Sequence, residues 1–154
     1  MLKVANIRAC TRAITHIVTA KHPTNTKSIM VLVSSLSNMV QLCCLEETRN
    51  SYGNVETCLN LVKKFPIANC QHSIQASFSP LIHRFSGSRN LVTGSEDGTV
   101  FIFNLDKKGE PWINQLMGHE SPVVSTQWSG DGSILITADT MGSVVIWLRD
   151  CSSE

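Results

Sequence analysis

The sequence predicts an all-β chain of about three four-stranded units related by repetition, and three observations carry that prediction. Ser95-Glu96-Asp97-Gly98-Thr99-Val100-Phe101-Ile102-Phe103 recurs 44 residues later as Asp139-Thr140-Met141-Gly142-Ser143-Val144-Val145-Ile146-Trp147. A worn third copy, Ser35-Leu36-Ser37-Asn38-Met39-Val40-Gln41-Leu42-Cys43, lies 60 residues before the middle one. Apolar residues make up 42% of the chain against 16% charged, enough to fill a core, and no stretch approaches the roughly 20 apolar residues of a membrane helix. A period of this length marks a repeat architecture, in which each unit buries its faces against its neighbours.

Each unit opens on a strand: Ile14 to Val18, Ile74 to Phe78, and Val124 to Trp128. Phe78-Ser79-Pro80 closes the second of these with turn chemistry. A hairpin follows. In the middle unit Leu91 to Ser95 is apolar and β-prone, Glu96-Asp97-Gly98 is a tight-turn signal, and Thr99 to Leu105 returns. Gly98 and Gly142 suit a turn position with positive φ, and Asn38 is the best non-glycine residue for the same place. The last unit stops at Trp147-Leu148-Arg149-Asp150, after its third strand, so its outer strand is expected from elsewhere. Met1 to Ile7, with Leu2, Val4 and Ile7 apolar, is one candidate.

Gly118-His119, nine residues before Trp128 and followed by Gly142 and Trp147, together with Ser95-x-Asp97-Gly98, resembles the WD repeat, the four-stranded blade of a β-propeller. The resemblance runs over residues 10 to 148. It implies one partial β-propeller domain over 1–154 with repeats at about 10–62, 69–117 and 118–148. About three blades of 40 to 45 residues do not close a ring, since propellers take typically 4 to 8. The chain is therefore expected to be part of a longer propeller, or to pair with identical copies, two of them making six blades.

In this family a His, a Ser and a turn Asp are hydrogen-bonded with the repeat Trp. Aligned on that pattern, the last copy has His119 and Trp147, with Asp139 in the Ser place and Met141 in the Asp place. The middle copy has Ser95 and Asp97, with Asn69 and Phe103 in the His and Trp places. The first keeps only Ser35, with Ala9, Ser37 and Cys43 at the other places. Packing is thus expected to outweigh polar wiring. A His119–Asp139 contact is expected as a substitute in the last blade, where the carboxylate would favour the charged imidazole.

Catalysis and metal binding find no support. Ser, His and Asp are explained by the repeat, and no segment signals an activated nucleophile. His16, His22, His72 and His83 stand singly, and no phosphate-binding GxxxxGK[ST] loop is present. Cys10, Cys43, Cys44, Cys58, Cys70 and Cys151 show no CxxC spacing. Cys43 and Cys44 are adjacent on a strand and face opposite ways, with Cys43 expected to be a small buried hydrophobe. No cofactor and no metal are expected, and the cysteines fit a reducing compartment.

Function is then expected on surfaces. Residues 1–95 carry ten basic and three acidic side chains, and 96–154 carry three basic and nine acidic. The acid-free start overlaps the first strand, which outweighs a transit-peptide interpretation. The bipolar charge has two readings, head-to-tail contact between blades or copies and scattered solvated charge. Propeller topology gathers the long loops Lys21–Lys27, Glu46–Gly53, Leu81–Asn90 and Asp106–Trp112 on one side. They bring Arg49, Tyr52, His83, Arg84, Phe85, Arg89, Lys107, Lys108 and Trp112 to one candidate protein-binding face. Glu96, Glu120, Pro122 and Thr140, beside the tight turns, form the competing face. The resemblance implies a non-catalytic scaffold with protein partners, in nuclear or transcription-related complexes, located in nucleus or cytoplasm. A second copy of the chain is a further possible partner, and a membrane is not expected. Two alternatives stand beside it. One is a substrate receptor of a ubiquitin ligase, although Trp147-Leu148-Arg149-Asp150 departs from the Trp-Asp-x-Arg element of such receptors. The other is nucleic-acid binding by the basic loop face, the less expected partner class.

Overall fold

Alternating apolar residues set by tight polar turns give, among the described residues, eleven strands in three sheets, all antiparallel to their neighbours. The computed structural model describes residues 11–22, 25, 27–49, 51–80, 89–106 and 112–149, with only the backbone at 112 and 113. Sheet one runs in the order β1 (Ile14–Lys21), β2 (Ile29–Ser35), β3 (Met39–Arg49), β4 (Val55–Pro66). Sheet two repeats that meander with β5 (Ala76–Phe78), β6 (Asn90–Thr93), β7 (Thr99–Asn104) and β8 (Trp112–Met117). Sheet three has β9 (Val123–Trp128), β10 (Ile134–Asp139) and β11 (Val144–Leu148). No helix occurs among the described residues. The first strands β1, β5 and β9 touch in succession, so the sheets stack side by side around one line as the blades of a partial β-propeller.

The hairpins form as the turn residues demand. Asn38, Gly98 and Gly142 hold φ of 57°, 81° and 87°, the left-handed region that glycine enters freely and asparagine tolerates. β6 and β7 pair from Asn90–Asn104 to Thr93–Phe101, which places the turn at 94–98. The strand expected at Ile74–Phe78 is shorter, starting at Ala76, because Ile74 is fully buried just ahead of the ladder and Gln75 bonds sideways, its N–H reaching the Val124 carbonyl at 2.9 Å. Glu46–Gly53 also differs from the expected loop. β3 continues through Arg49 and pairs residue by residue with β4 from Glu46–Cys58 to Arg49–Val55. Hydrogen bonding across the hairpin overrides the weak strand preference of Glu46 and Glu47.

The core lies between sheets. Met30, Leu32, Val40, Leu42 and Phe65 of sheet one meet Ile74, Ala76, Leu91 and Phe103 on the side of sheet two, with the Phe65 and Phe103 rings 5.0 Å apart. Val92 and Val100 on the other face of sheet two meet Val123, Trp128 and Leu135 of sheet three. Burying side chains of this size contributes about 1.5–3 kcal/mol each, so the seams dominate the stability of the stack. Cys43 and Cys44 are both buried, at 3% and 7% exposure, on opposite faces of β3. Met1–Ile7, the expected spare strand, lies outside the described residues.

Candidate functional site

The richest polar constellation is in sheet three. Residues two apart on a strand share a face, so Leu135, Thr137 and Asp139 of β10 point together, opposite Trp147 and Val145 of β11. His119, on the connector from sheet two, is folded under that face with its side chain fully buried, and Asp139 is only 3% exposed. His119 Nδ1 lies 2.9 Å from Asp139 Oδ2 and its Nε2 lies 2.7 Å from Thr137 Oγ1. Trp147 Nε1–H donates to the same Thr137 oxygen at 2.8 Å. Asp139 Oδ1 accepts from the N–H groups of Met141 and Ser143 at 3.0 and 2.9 Å, fastening the tight turn. Nδ1 thus faces the Asp139 carboxylate and Nε2 faces the Thr137 hydroxyl, so both ring nitrogens are engaged.

A four-membered network is therefore present in the last blade, and the alignment that put Asp139 in the Ser place is corrected. Thr137 is the hydroxyl member and Asp139 itself is the turn carboxylate. The alternation of β10 is the sequence signal that would have found Thr137. Asp139 is held below the usual carboxylate range, first by the His119 hydrogen bond and then, against the cost of burial, by the Ser143 and Met141 N–H groups. Gly118 completes the site, since a β-carbon there would sit 2.8 Å from the Trp147 ring.

The middle blade uses other means. Phe103 fills the Trp place at 2% exposure, and Asn69 in the His place is fully buried with neither amide atom hydrogen-bonded among the described residues. Asp97 accepts from the Thr99 N–H at 2.9 Å, capping its own turn, and Ser95 Oγ accepts the Ala68 N–H at 3.3 Å. Glu96 is the larger device. Its Oε1 accepts from the N–H groups of Cys70, Gln71 and His72 at 3.0, 2.6 and 2.7 Å. Burial is the largest single influence on Glu96 and opposes its charge, yet the N–H groups of Gln71, His72 and Cys70 together outweigh it and pull the carboxyl down to about 2. In the first blade Ser35 Oγ is 2.6 Å from Ser37 Oγ within the turn. Ala9 lies outside the described residues.

On the long-loop side, Arg49 ends β3 exposed and Tyr52 stands 88% exposed at the tip of the β3–β4 hairpin. Arg89 is not an open anchor. Its guanidinium is paired with Asp106, and its Nη1–H also reaches the Met30 sulfur at 3.2 Å. The Asp106 carboxyl is held low in turn, chiefly by that guanidinium hydrogen bond. Trp112 begins β8 opposite Phe103 instead of lying in a loop. His83, Arg84, Phe85, Lys107 and Lys108 lie outside the described residues. On the opposite side a recess of about 430 Å³ is lined by His119, Glu120, Ser121, Asp139, Met141 and Ser143. No group of three or more His, Cys, Asp or Glu arranged to hold a metal occurs among the described residues.

The network of Trp147, Thr137, His119 and Asp139 agrees with comparison to known families. The model of the WD domain, G-beta repeat, matches residues 69–104 and 111–147. These two segments are WD repeats. The second matched segment begins just ahead of β8 and so takes in the outer strand of sheet two together with the three strands of sheet three. A chromatin assembly factor 1 subunit FAS2 homolog of Oryza sativa subsp. japonica is 35% identical over 91 residues, 55% of this chain and 18% of that protein. Protein transport protein SEC13 homolog A of Arabidopsis thaliana is 32% identical over 65 residues, 42% of this chain and 22% of that protein. Protein HIR1 of Gibberella zeae is 31% identical over 91 residues, 49% of this chain and 8% of that protein. The chain thus spans less than a quarter of the length of these relatives.

Proposed function

We propose that this chain is a non-catalytic WD-repeat scaffold that binds other proteins in chromatin- or transcription-related complexes of the nucleus. The observation that carries the proposal is the inward use of its reactive groups. The His119 side chain is fully buried with both ring nitrogens engaged, which argues against its meeting a substrate as base or acid, and Asp139 is spent on the turn. Surface-exposed Arg49 and Tyr52 instead offer the side-chain types that anchor protein interfaces. The domain is a partial propeller over 1–154 with repeats at about 10–62, 69–117 and 118–148. The nuclear assignment is supported by the names of relatives, a chromatin assembly factor subunit and a SIR4-interacting protein. It is also supported by Val92–Asp97, Gly118–Val123 and Gly142–Trp147, which resemble the carboxyl-terminal part of WD repeat-containing protein 13. The protein transport relatives support a second, cytoplasmic location.

The test compares two faces of the purified chain. An Arg49→Glu/Tyr52→Ala double variant is expected to lose most bound protein in a quantitative pull-down from nuclear extract. A Glu120→Lys variant on the opposite side is expected to keep it, with both circular dichroism spectra unchanged. Retention by the first variant together with loss by the second overturns the loop-face assignment, and retention by both overturns the scaffold role of either face.

A further inference from the structure

The repeat fixes a level at which the hairpin ladders end. Cys44 of β3 corresponds to Asn104 of β7 and Leu148 of β11, and these pair with Met30, Asn90 and Ile134. Sheets two and three close their hairpin ladders there, whereas β3 and β4 run on, pairing Glu46–Cys58, Glu47–Thr57, Thr48–Glu56 and Arg49–Val55. Those four pairs form an arm that reaches past the end of the other ladders among the described residues. A sheet the length of sheet two or three, laid on either face of sheet one, would stop short of it. The arm therefore stands clear whatever sheets of this length lie beyond either end of the sequence.

An outer strand presents a row of backbone N–H and C=O groups, and proteins guard such edges with Lys, Pro and bulges. β4 is the outer strand of sheet one, and among the described residues no strand pairs with its far edge. Its guards all lie in its second half. Val62 is the extra residue of a bulge opposite the Leu42–Cys43 step, Lys63 and Lys64 follow, and Pro66 ends the strand. The first half, Val55-Glu56-Thr57-Cys58-Leu59-Asn60, has no Lys, Pro or bulge. Charge marks the same place. Glu46, Glu47 and Glu56 are the three acidic residues of the first 95, and all sit on this arm. Alternation puts Glu46 and Glu56 on one face with Thr48 and Cys58, and Val55 and Thr57 on the other with Glu47 and Arg49. The Glu46 carboxylate is held on its face by the Cys44 thiol and the Asn60 amide, each at 3.4 Å, and Val55 is 58% exposed on the other.

We propose, building on the scaffold role assigned above, that the first half of β4 is a docking edge for an extended basic segment of another protein, which adds a fifth strand to sheet one. Main-chain hydrogen bonds of the added strand supply affinity, and its alternate side chains supply selection. Lys or Arg at every second position meets Glu56 and reaches toward Glu46 across the small Cys58 side chain, while the apolar residues between them lie beside Val55. The same carboxylates repel acidic segments and nucleic-acid phosphates, so the arm selects a basic peptide.

Fluorescence anisotropy of a dye-labelled peptide of alternating Lys and Val, titrated with the full chain, tests it. The peptide is expected to bind saturably and to slow amide exchange at Thr57 and Leu59. Glu46→Gln/Glu56→Gln is expected to weaken binding several-fold with an unchanged circular dichroism spectrum. A peptide of alternating Lys and Pro, equal in charge but lacking every second N–H, is expected not to bind. Absence of binding by the Lys–Val peptide overturns the proposal. So does equal binding of the Lys–Pro peptide, which means charge attraction without strand addition, and so does full affinity in the double variant or unaltered exchange in β4. If the Lys–Val peptide fails while Arg49→Glu/Tyr52→Ala still loses its nuclear protein, the partner chemistry is wrong and the loop-face scaffold stands. If the peptide binds while that variant keeps its protein, the loop-face assignment is what falls.

Discussion

Thr137 shows how much one hydroxyl can organise. It accepts from the Trp147 indole and meets the His119 ring while only 1% exposed. Thr137→Val keeps the shape of the side chain but strands two buried polar groups, and is expected to cost about 1–3 kcal/mol in urea unfolding. An unchanged midpoint would show that Trp147 and His119 have other partners. The reason sequence alignment passed over Thr137 is physical. Matching turn residues in linear order put Asp139 in the hydroxyl place, whereas the two-residue alternation of a strand fixes which residues can reach the same histidine. Glu96 makes a second residue-scale prediction. Its carboxyl takes up a proton near 4.5 when unfolded but only near about 2 when folded. The unfolded chain therefore binds more protons in that interval, so the stabilisation is complete above about 4.5 and is lost progressively as pH falls toward about 2. Glu96→Gln is expected to be less stable than the parent at pH 7, with the gap shrinking across that acid window in parallel thermal melts.

At the scale of elements, the β3–β4 hairpin is the feature least visible in the amino acids. Its strands are 11 and 12 residues long, against 6 and 6 for β7 and β8, and among the described residues its outer part pairs with no further strand. Glu46, Glu47 and Arg49 carry no apolar alternation, so only cross-strand pairing could reveal that they extend the ladder. An isolated two-stranded ribbon is marginally stable. Amide hydrogen exchange is accordingly expected to be orders of magnitude faster at Thr48 and Arg49 than at Leu42, which is buried in the inter-sheet core. Equal protection would mean that the arm is clamped from outside. By contrast, the three turns were legible, because a left-handed backbone admits few residue types and Asn38, Gly98 and Gly142 stand at matching places in the three copies.

Across the whole molecule, the sheets are held by close backbone contact as well as by apolar seams. Val123 N–H donates to the Ser95 carbonyl at 3.0 Å, and Thr140 N–H donates to the Pro122 carbonyl at 3.0 Å, tying connector to turn. A β-carbon at Gly94 would lie 2.1 Å from the Val123 carbonyl oxygen. Gly94→Ala must therefore push sheets two and three apart, and is expected to cost about 3 kcal/mol or more, at the upper end of overpacking penalties, measured by denaturant unfolding. A near-neutral result would mean the two sheets slide easily. The repetition predicted the stack and its order from sequence, but it could not show the tightness of this seam, because Gly94 looks like an ordinary residue of a hairpin.

The one-strand stagger between repeat and sheet has a consequence for how such a chain can grow. The segment 111–147 brings the outer strand of the preceding sheet together with three strands of its own. A duplication of that segment in the gene would hand each newcomer's neighbour the strand it needs and pass the same unfinished edge onward. Lengthening of this kind supplies each added sheet with an outer strand from the segment that follows it.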